Sequence, residues 1–211
     1  MKNLITILCL CSFLFSEELR SEIIKRYDNG NKKIVVKYRG SGFNEEIVER
    51  ITFSKKNEII QIHKPLEGIN KRFEYYENGY KKVYSNFNNN DKLNGKYIFY
   101  NDTGQIQYET NYVDGQINGK YIFYNDTGQV QYETNYVDGQ INGKYIFYYD
   151  TGQVQYEMNY VDGEINGNYI SFYKTGNLKE KGKLKKNKKK GPWLMIDEFG
   201  NQTSCFGPVC P

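Results

Sequence analysis

From Gln105 to Tyr112 the chain alternates strictly. Ile106, Tyr108, Thr110 and Tyr112 fall on one side, and Gln105, Gln107, Glu109 and Asn111 on the other. A period of two marks a β-strand with one sheltered face and one wet face. The preceding run, Tyr97-Ile98-Phe99-Tyr100, is apolar on both sides and is expected to be the more enclosed strand of the pair. Between the two lies Asn101-Asp102-Thr103-Gly104. Gly104 permits the positive φ that closes a tight turn, and Asp102 is placed to bond to nearby backbone amides.

This hairpin recurs. Gly95, Gly119, Gly143, Gly167 and Gly191 are each 24 residues apart, and Gly104, Gly128, Gly152, Gly176 and Gly200 mark a second phase with the same step. The unit from Leu93 to Gln116 differs from the next, Ile117 to Gln140, only at Leu93/Ile117 and Ile106/Val130. A fixed period in the range of roughly 20–50 residues indicates a repeat architecture. Upstream, β-rich runs flank Asp28-Asn29-Gly30, Lys55-Lys56-Asn57 and Glu77-Asn78-Gly79, which reads as three diverged copies of the same hairpin. The fold expected is all-β: an elongated repeat of antiparallel β-hairpins in a single sheet, about eight hairpins long. The divisions are a leader at 1–16, diverged hairpin repeats at 17–92, regular 24-residue repeats at 93–200, and a tail at 201–211 with a cysteine pair.

One such hairpin buries too little to stand alone, so stability has to come from neighbouring units. Equal spacing suggests that like rings stack: Tyr97 on Tyr121, on Tyr145, on Tyr169, ending at Trp193.

Composition changes the picture in two places. The 211 residues are polar, but 21 Tyr and 12 Phe supply apolar area that disordered chains lack. The first 16 residues, MKNLITILCLCSFLFS, have a basic start at Lys2 and an apolar run from Leu4 to Phe15 too short to span a bilayer. They read as an export signal, which makes the protein periplasmic, cell-surface or secreted. A lipid-modified Cys9 or Cys11 is the alternative, making it a lipoprotein. In an oxidising compartment Cys205 and Cys210, which enclose Phe-Gly-Pro-Val, either close a small loop or remain a free surface pair.

The pattern NGKYIFYNDTGQ, with YVDG before the next NGK, resembles the MORN-repeat variant found in bacterial YwqK-like antitoxin proteins. The last unit, Gly191-Pro192-Trp193-Leu194-Met195-Ile196-Asp197-Glu198-Phe199-Gly200, is close to the G-x-W-x-x-Y/F-x-x-x-G form of that repeat. The resemblance spans residues 23–202 and is strongest from Leu93 onward. It implies a MORN-type single-sheet solenoid, a curved sheet of hairpins used for protein or membrane contact, with no catalytic residues to carry over. It also implies an antitoxin or immunity role that binds a toxin.

The candidate chemistry is that of a binding surface. Tyr108, Tyr132 and Tyr156, with Tyr112, Tyr136 and Tyr160, form a regular row that either holds sugar rings or a quaternary ammonium, or is the core ladder itself. The first option would make the chain a carbohydrate- or wall-binding module. Lys179 to Lys190, KEKGKLKKNKKK, is the one basic block, with Lys183, Lys185, Lys186, Lys188, Lys189 and Lys190 as its candidate patch. They either meet an anionic membrane surface or wall polymer, or line a solvated strand and discourage edge pairing. Asp102, Asp126 and Asp150, like Asp114, Asp138 and Asp162, read as turn residues in preference to calcium ligands. A single His, His63, excludes metal sites that need two imidazoles. The sequence holds no nucleophile–base pair or phosphate loop, so neither an enzyme nor a cofactor is expected. The expected partner is a protein or a cell-envelope component, and nucleic acid is the least expected.

Overall fold

The computed structural model describes residues 19–40 and 45–209. Residues 1–16, with Cys9 and Cys11, and Cys210 of the tail lie outside the described residues. The strands follow one another as hairpins. They begin with β1 (Arg20–Arg26) and β2 (Lys32–Arg39), β3 (Glu46–Phe53) and β4 (Ile59–Lys64), then β5 (Ile69–Tyr75) and β6 (Lys81–Phe87). Next come β7 (Leu93–Tyr100) and β8 (Ile106–Val113), then β9 (Gln116–Ile117), β10 (Gly119–Tyr124) and β11 (Val130–Val137). The series continues with β12 (Gln140–Ile141), β13 (Gly143–Tyr148) and β14 (Val154–Val161), then β15 (Glu164–Phe172) and β16 (Leu178–Lys185), and ends with β17 (Lys188–Ile196) and β18 (Gln202–Phe206). Successive strands pair antiparallel, except that β9 and β10 both pair with β8 and β12 and β13 both with β11, giving one open sheet of 18 strands with β1 and β18 at its edges. No break separates the diverged hairpins from the regular ones, because β6 pairs with β7.

The turns explain why. In the β7–β8 hairpin the Gly104 amide donates to the Asn101 carbonyl at 3.0 Å and the Asn101 amide to the Gln105 carbonyl at 2.8 Å. Gly104 has φ +87°, a value a Cβ would strain. The equivalent bond recurs from Gly30 to Tyr27, Asn57 to Ser54, Gly79 to Tyr76, Gly128 to Asn125, Gly152 to Tyr149, Gly176 to Tyr173 and Gly200 to Asp197. One correction concerns the side chain that fastens the loop, which is Asn101 and not Asp102. Asn101 Oδ1 accepts from the Thr103 amide at 3.1 Å, the Thr103 hydroxyl at 2.7 Å and the Gln105 amide at 2.9 Å. An Asx oxygen at the first loop position faces the amides two and four residues on; one residue later it does not.

At the other end of each unit Asp114, Asp138 and Asp162 take left-handed φ values of 48°, 48° and 51°. Their carboxylates are occupied. Asn88 donates to Asp114 at 2.7 Å, Asn118 to Asp138 at 3.0 Å and Asn142 to Asp162 at 3.2 Å. These bonds tie each turn to the next, so the aspartates serve the lattice of the sheet.

Register sets the two faces. Gly95, Tyr97 and Phe99 pair with Tyr112, Thr110 and Tyr108, and the alternate set pairs Lys96 with Asn111 and Ile98 with Glu109. One face is therefore aromatic and the other charged. Among the described residues only Val36, Phe53, Val83 and Trp193 are buried apolar side chains, because no second layer covers either face. The expectation that Tyr97–Tyr100 would be the more enclosed strand does not hold. Both strands of the hairpin are half-exposed, and the deepest residue is Thr110 on the second strand, 3% exposed beneath the larger rings.

The rings form one continuous stack, but in a different order from that expected. Tyr97 meets Tyr108 at 5.9 Å, Tyr108 meets Tyr121 at 5.4 Å, Tyr121 meets Tyr132 at 5.8 Å and Tyr132 meets Tyr145 at 5.3 Å between centroids. Tyr145 then meets Tyr156, Tyr156 meets Tyr169, and Tyr169 closes on Trp193 at 5.7 Å. Each unit contributes two strands roughly 4.8 Å apart, so a second-strand ring must stand between equivalent first-strand rings.

Candidate functional site

On the aromatic face the ring planes are nearly parallel, 14° and 16° apart for Tyr121–Tyr132 and Tyr132–Tyr145. Phe123 and Phe147 also lie near-parallel to Tyr132. The faces of Tyr108, Tyr132 and Tyr156 are thus occupied by other rings, which leaves edges and hydroxyls outward. Tyr112, Tyr136 and Tyr160 tilt against Tyr97, Tyr121 and Tyr145 at 52–58°. Burial is the largest cause that pushes the phenols of Tyr97, Tyr121 and Tyr145 well above the ordinary tyrosine range. This row has the geometry of a packed ladder.

On the charged face the polar groups are paired unit by unit. Lys96 lies 2.8 Å from Glu109, Lys120 2.8 Å from Glu133 and Lys144 2.9 Å from Glu157. A tyrosine from the following unit completes two of these sets: the Tyr124 hydroxyl donates to Glu109 at 2.9 Å and that of Tyr148 to Glu133 at 3.2 Å. The Lys96 hydrogen bond, helped by that of Tyr124 and opposed by burial, holds the Glu109 carboxyl below the usual glutamate range. Burial and then the bond to Glu109 push Tyr124 up to about 12.

The pairing ends in the fourth regular unit. Asn168 stands where Lys96, Lys120 and Lys144 stand, and Lys181 where Glu109, Glu133 and Glu157 stand. Lys183 replaces the asparagine of Asn111, Asn135 and Asn159, and Lys190 that of Asn118, Asn142 and Asn166. Lys183 lies directly across from Lys190, and Lys185 across from Lys188. These lysines are not on a sheet edge, because β16 and β17 are interior strands. A groove of about 880 Å³ opens here, lined by Lys144, Glu157, Asn159, Asn168, Lys181, Lys183, Lys190 and Ser204, with Ile170 and Leu194 among its apolar residues.

Sequence reasoning marked the lysines as one block, and the structure divides them. Lys183, Lys185, Lys188 and Lys190 share the charged face. Lys186 is in the turn, with φ 50°. Lys189 is on the aromatic face, with its ammonium 4.5 Å from the Trp193 ring centre and 3.4 Å from Glu180. Lys181, inside the basic run from Lys179 to Lys190 but not among the six lysines singled out from it, belongs with the groove. Its place in the unit, a lysine at a glutamate position, was the available signal. Cys205 on β18 is disulfide-bonded. Among the described residues no group of three His, Cys, Asp or Glu side chains could hold a metal ion.

The family described as the MORN repeat variant matches residues 93–114, 117–138, 141–162 and 165–186. Residues 93–186 are four MORN-variant repeats. The matched segments end at the Asp-Gly turns, or at Lys186 in the last copy, so one MORN-variant unit is one hairpin of the sheet. The three upstream hairpins and the last one continue the sheet beyond the match. The match concerns the repeat and does not extend to the antitoxin resemblance. No curated protein matches the sequence.

Solved structures with local likeness include the GtfA/B complex bound to UDP and GlcNAc, at 10% identity and TM-score 0.22, covering 65% of this chain and 24% of that one. A second is S. aureus TarM with fondaparinux, α-GlcNAc-glycerol and UDP, at 15% identity and TM-score 0.24, covering 57% and 20%. A third is the Photorhabdus luminescens Tc holotoxin pore, at 12% identity and TM-score 0.32, covering 82% and 12%. The chain thus spans a quarter or less of those chains, and TM-scores this low carry no argument.

Proposed function

We propose that the chain is a non-enzymatic, exported repeat protein that binds a protein or another cell-envelope component through the charged face of its sheet. The observation that carries this reading is the uncovered state of that face. Val113, Val137 and Val161 stand on it in a row at 50%, 49% and 45% exposure, one per unit, beside the unpaired lysines of the fourth unit. A repeated apolar row rimmed by charge is the composition of a contact surface. The repeated acids and amides are already bound to their neighbours within the sheet, which suits a scaffold better than a reacting centre. The leader at residues 1–16 supports export.

The test is crosslinking in the native cell. A photo-reactive side chain replaces Val137 on the charged face in one variant and Asp126 at a turn tip in another. A discrete adduct at Val137 but not at Asp126 is expected. No adduct at Val113, Val137 or Val161 would end the reading.

A further inference from the structure

We propose that the groove over the fourth regular unit binds a linear polymer carrying phosphate groups, held by Lys181, Lys183 and Lys190. The inference rests on the reading of the charged face as a binding surface and names the ligand of one part of it.

Three observations carry it. The first is the reversal of charge within a strict repeat. Three successive units neutralise every lysine of the charged face with a glutamate, and the fourth places Lys181 at the glutamate position and Asn168 at the lysine position. Among the described residues Lys181, Lys183 and Lys190 make no ion pair. The second is the direct opposition of Lys183 to Lys190, with Lys185 opposite Lys188 alongside. Like charges across a strand pair destabilise a sheet, so an anion between them would relieve a strain the fold otherwise carries. The third is shape. The row Glu157, Ile170, Lys181, Leu194, Ser204 crosses the strands at neighbouring register positions, so the groove runs perpendicular to them for roughly 20 Å.

A recess of this form admits a thin chain and excludes a flat bilayer surface. The cations are all lysines. An ammonium is a point charge with three donors, which meets the several oxygens of a phosphate from any direction. Asn159, Asn168 and Ser204 add neutral hydrogen-bonding groups along the walls. Tyr169 and Trp193 also border the groove, but their rings pack against each other in the ladder.

The experiment uses the full chain and inorganic polyphosphate as the probe, with polyglutamate and phosphatidylglycerol vesicles as comparison arms. Polyphosphate binding is expected to weaken with salt and to raise the unfolding temperature. In the triple variant Lys181→Glu, Lys183→Glu, Lys190→Glu the affinity falls roughly 100-fold. A second triple variant, Lys25→Glu, Lys55→Glu, Lys92→Glu, has the same net charge and is expected to bind as the parent does. Trp193 emission reports that both are folded. Absence of polyphosphate binding, an equal loss in both variants, equal affinity for polyglutamate, or binding to vesicles alone would each overturn the proposal. If the Val137 adduct persists while polyphosphate fails to bind, this inference falls and the broader reading stands. If no adduct forms at any valine, the broader reading falls by itself.

Discussion

Gly182 lies directly beneath the indole of Trp193: a Cβ built on that glycine would sit 2.2 Å from Cδ2 of the ring. The glycine occupies the position of Thr110, Thr134 and Met158 in the earlier units, and its absence of a side chain lets the ladder end on a buried tryptophan, 2% exposed. Gly182→Ala is therefore expected to displace the indole and cost about 1–3 kcal/mol. Trp193 is the single tryptophan, so its emission should shift to longer wavelength as the unfolding midpoint falls. Unchanged emission and midpoint would mean that the ladder does not end as described.

Tyr132 is gripped from both sides, with Tyr121, Phe123, Tyr145 and Phe147 all within 6.5 Å. Its half-exposed ring stacks against neighbouring rings on both sides, whereas the Tyr124 hydroxyl bonds to Glu109. Tyr132→Ala should cost roughly 2–3 kcal/mol, and Tyr124→Phe, which removes one hydrogen bond to Glu109, roughly 0.5–1.5 kcal/mol. Chemical unfolding of both variants checks the order. A larger loss for Tyr124→Phe would place the stabilising contacts on the wrong face.

Acid should loosen the charged face before it affects the ladder. The Glu109 carboxyl titrates below its ordinary value of 4.5 because Lys96 bonds to its charged form. A depressed carboxyl contributes stability that is present above the unfolded value and lost as pH falls through the folded one. With Glu109 about one-fifth exposed, the contribution is about 0.5–1 kcal/mol. Glu109→Gln should lower the urea midpoint near neutral pH, and the deficit should vanish in acid below the lowered folded value, where the parent carboxyl is also protonated. An equal deficit at both pH values would assign the loss to packing.

Alkali acts in the opposite sense. Tyr124 and Tyr148 are pushed up to about 12, chiefly by burial. A tyrosine whose folded value is raised contributes stability fully present below the unfolded value near 10 and lost as pH rises through the folded one. Tyrosinate absorbance is expected to lag behind that of free tyrosine and then to rise together with loss of the β-sheet signal between about pH 10 and 12. Full ionisation near pH 10 with the sheet intact would contradict the burial that drives these shifts.

The hairpins were readable from residues alone because each turn is local: Gly104, Gly128 and their counterparts close bonds to residues three positions back. The two-faced pattern of β8 was readable for the same reason. The order of the ladder was not, since whether Tyr97 meets Tyr121 or Tyr108 depends on the pairing between strands. The role of Asn101 over Asp102 required the loop geometry. The groove was hidden because a register shift between Lys181 and Lys183 intervenes, and because a run of lysines does not reveal which ammoniums share a face. Lys189, inside that run, ended on the aromatic side.

The account as a whole claims that each unit is held only by its neighbours, so that removing one should let the remainder close up. Deletion of residues 117–140 joins Gln116 to Ile141 and brings Tyr108 against Tyr145, repeating its present contact with Tyr121. Thermal unfolding of the deletion protein, followed by circular dichroism and Trp193 emission together, is the most direct measurement. A folded protein with a single cooperative transition and unshifted tryptophan emission is the predicted result. Loss of the cooperative transition would contradict the nearest-neighbour sheet.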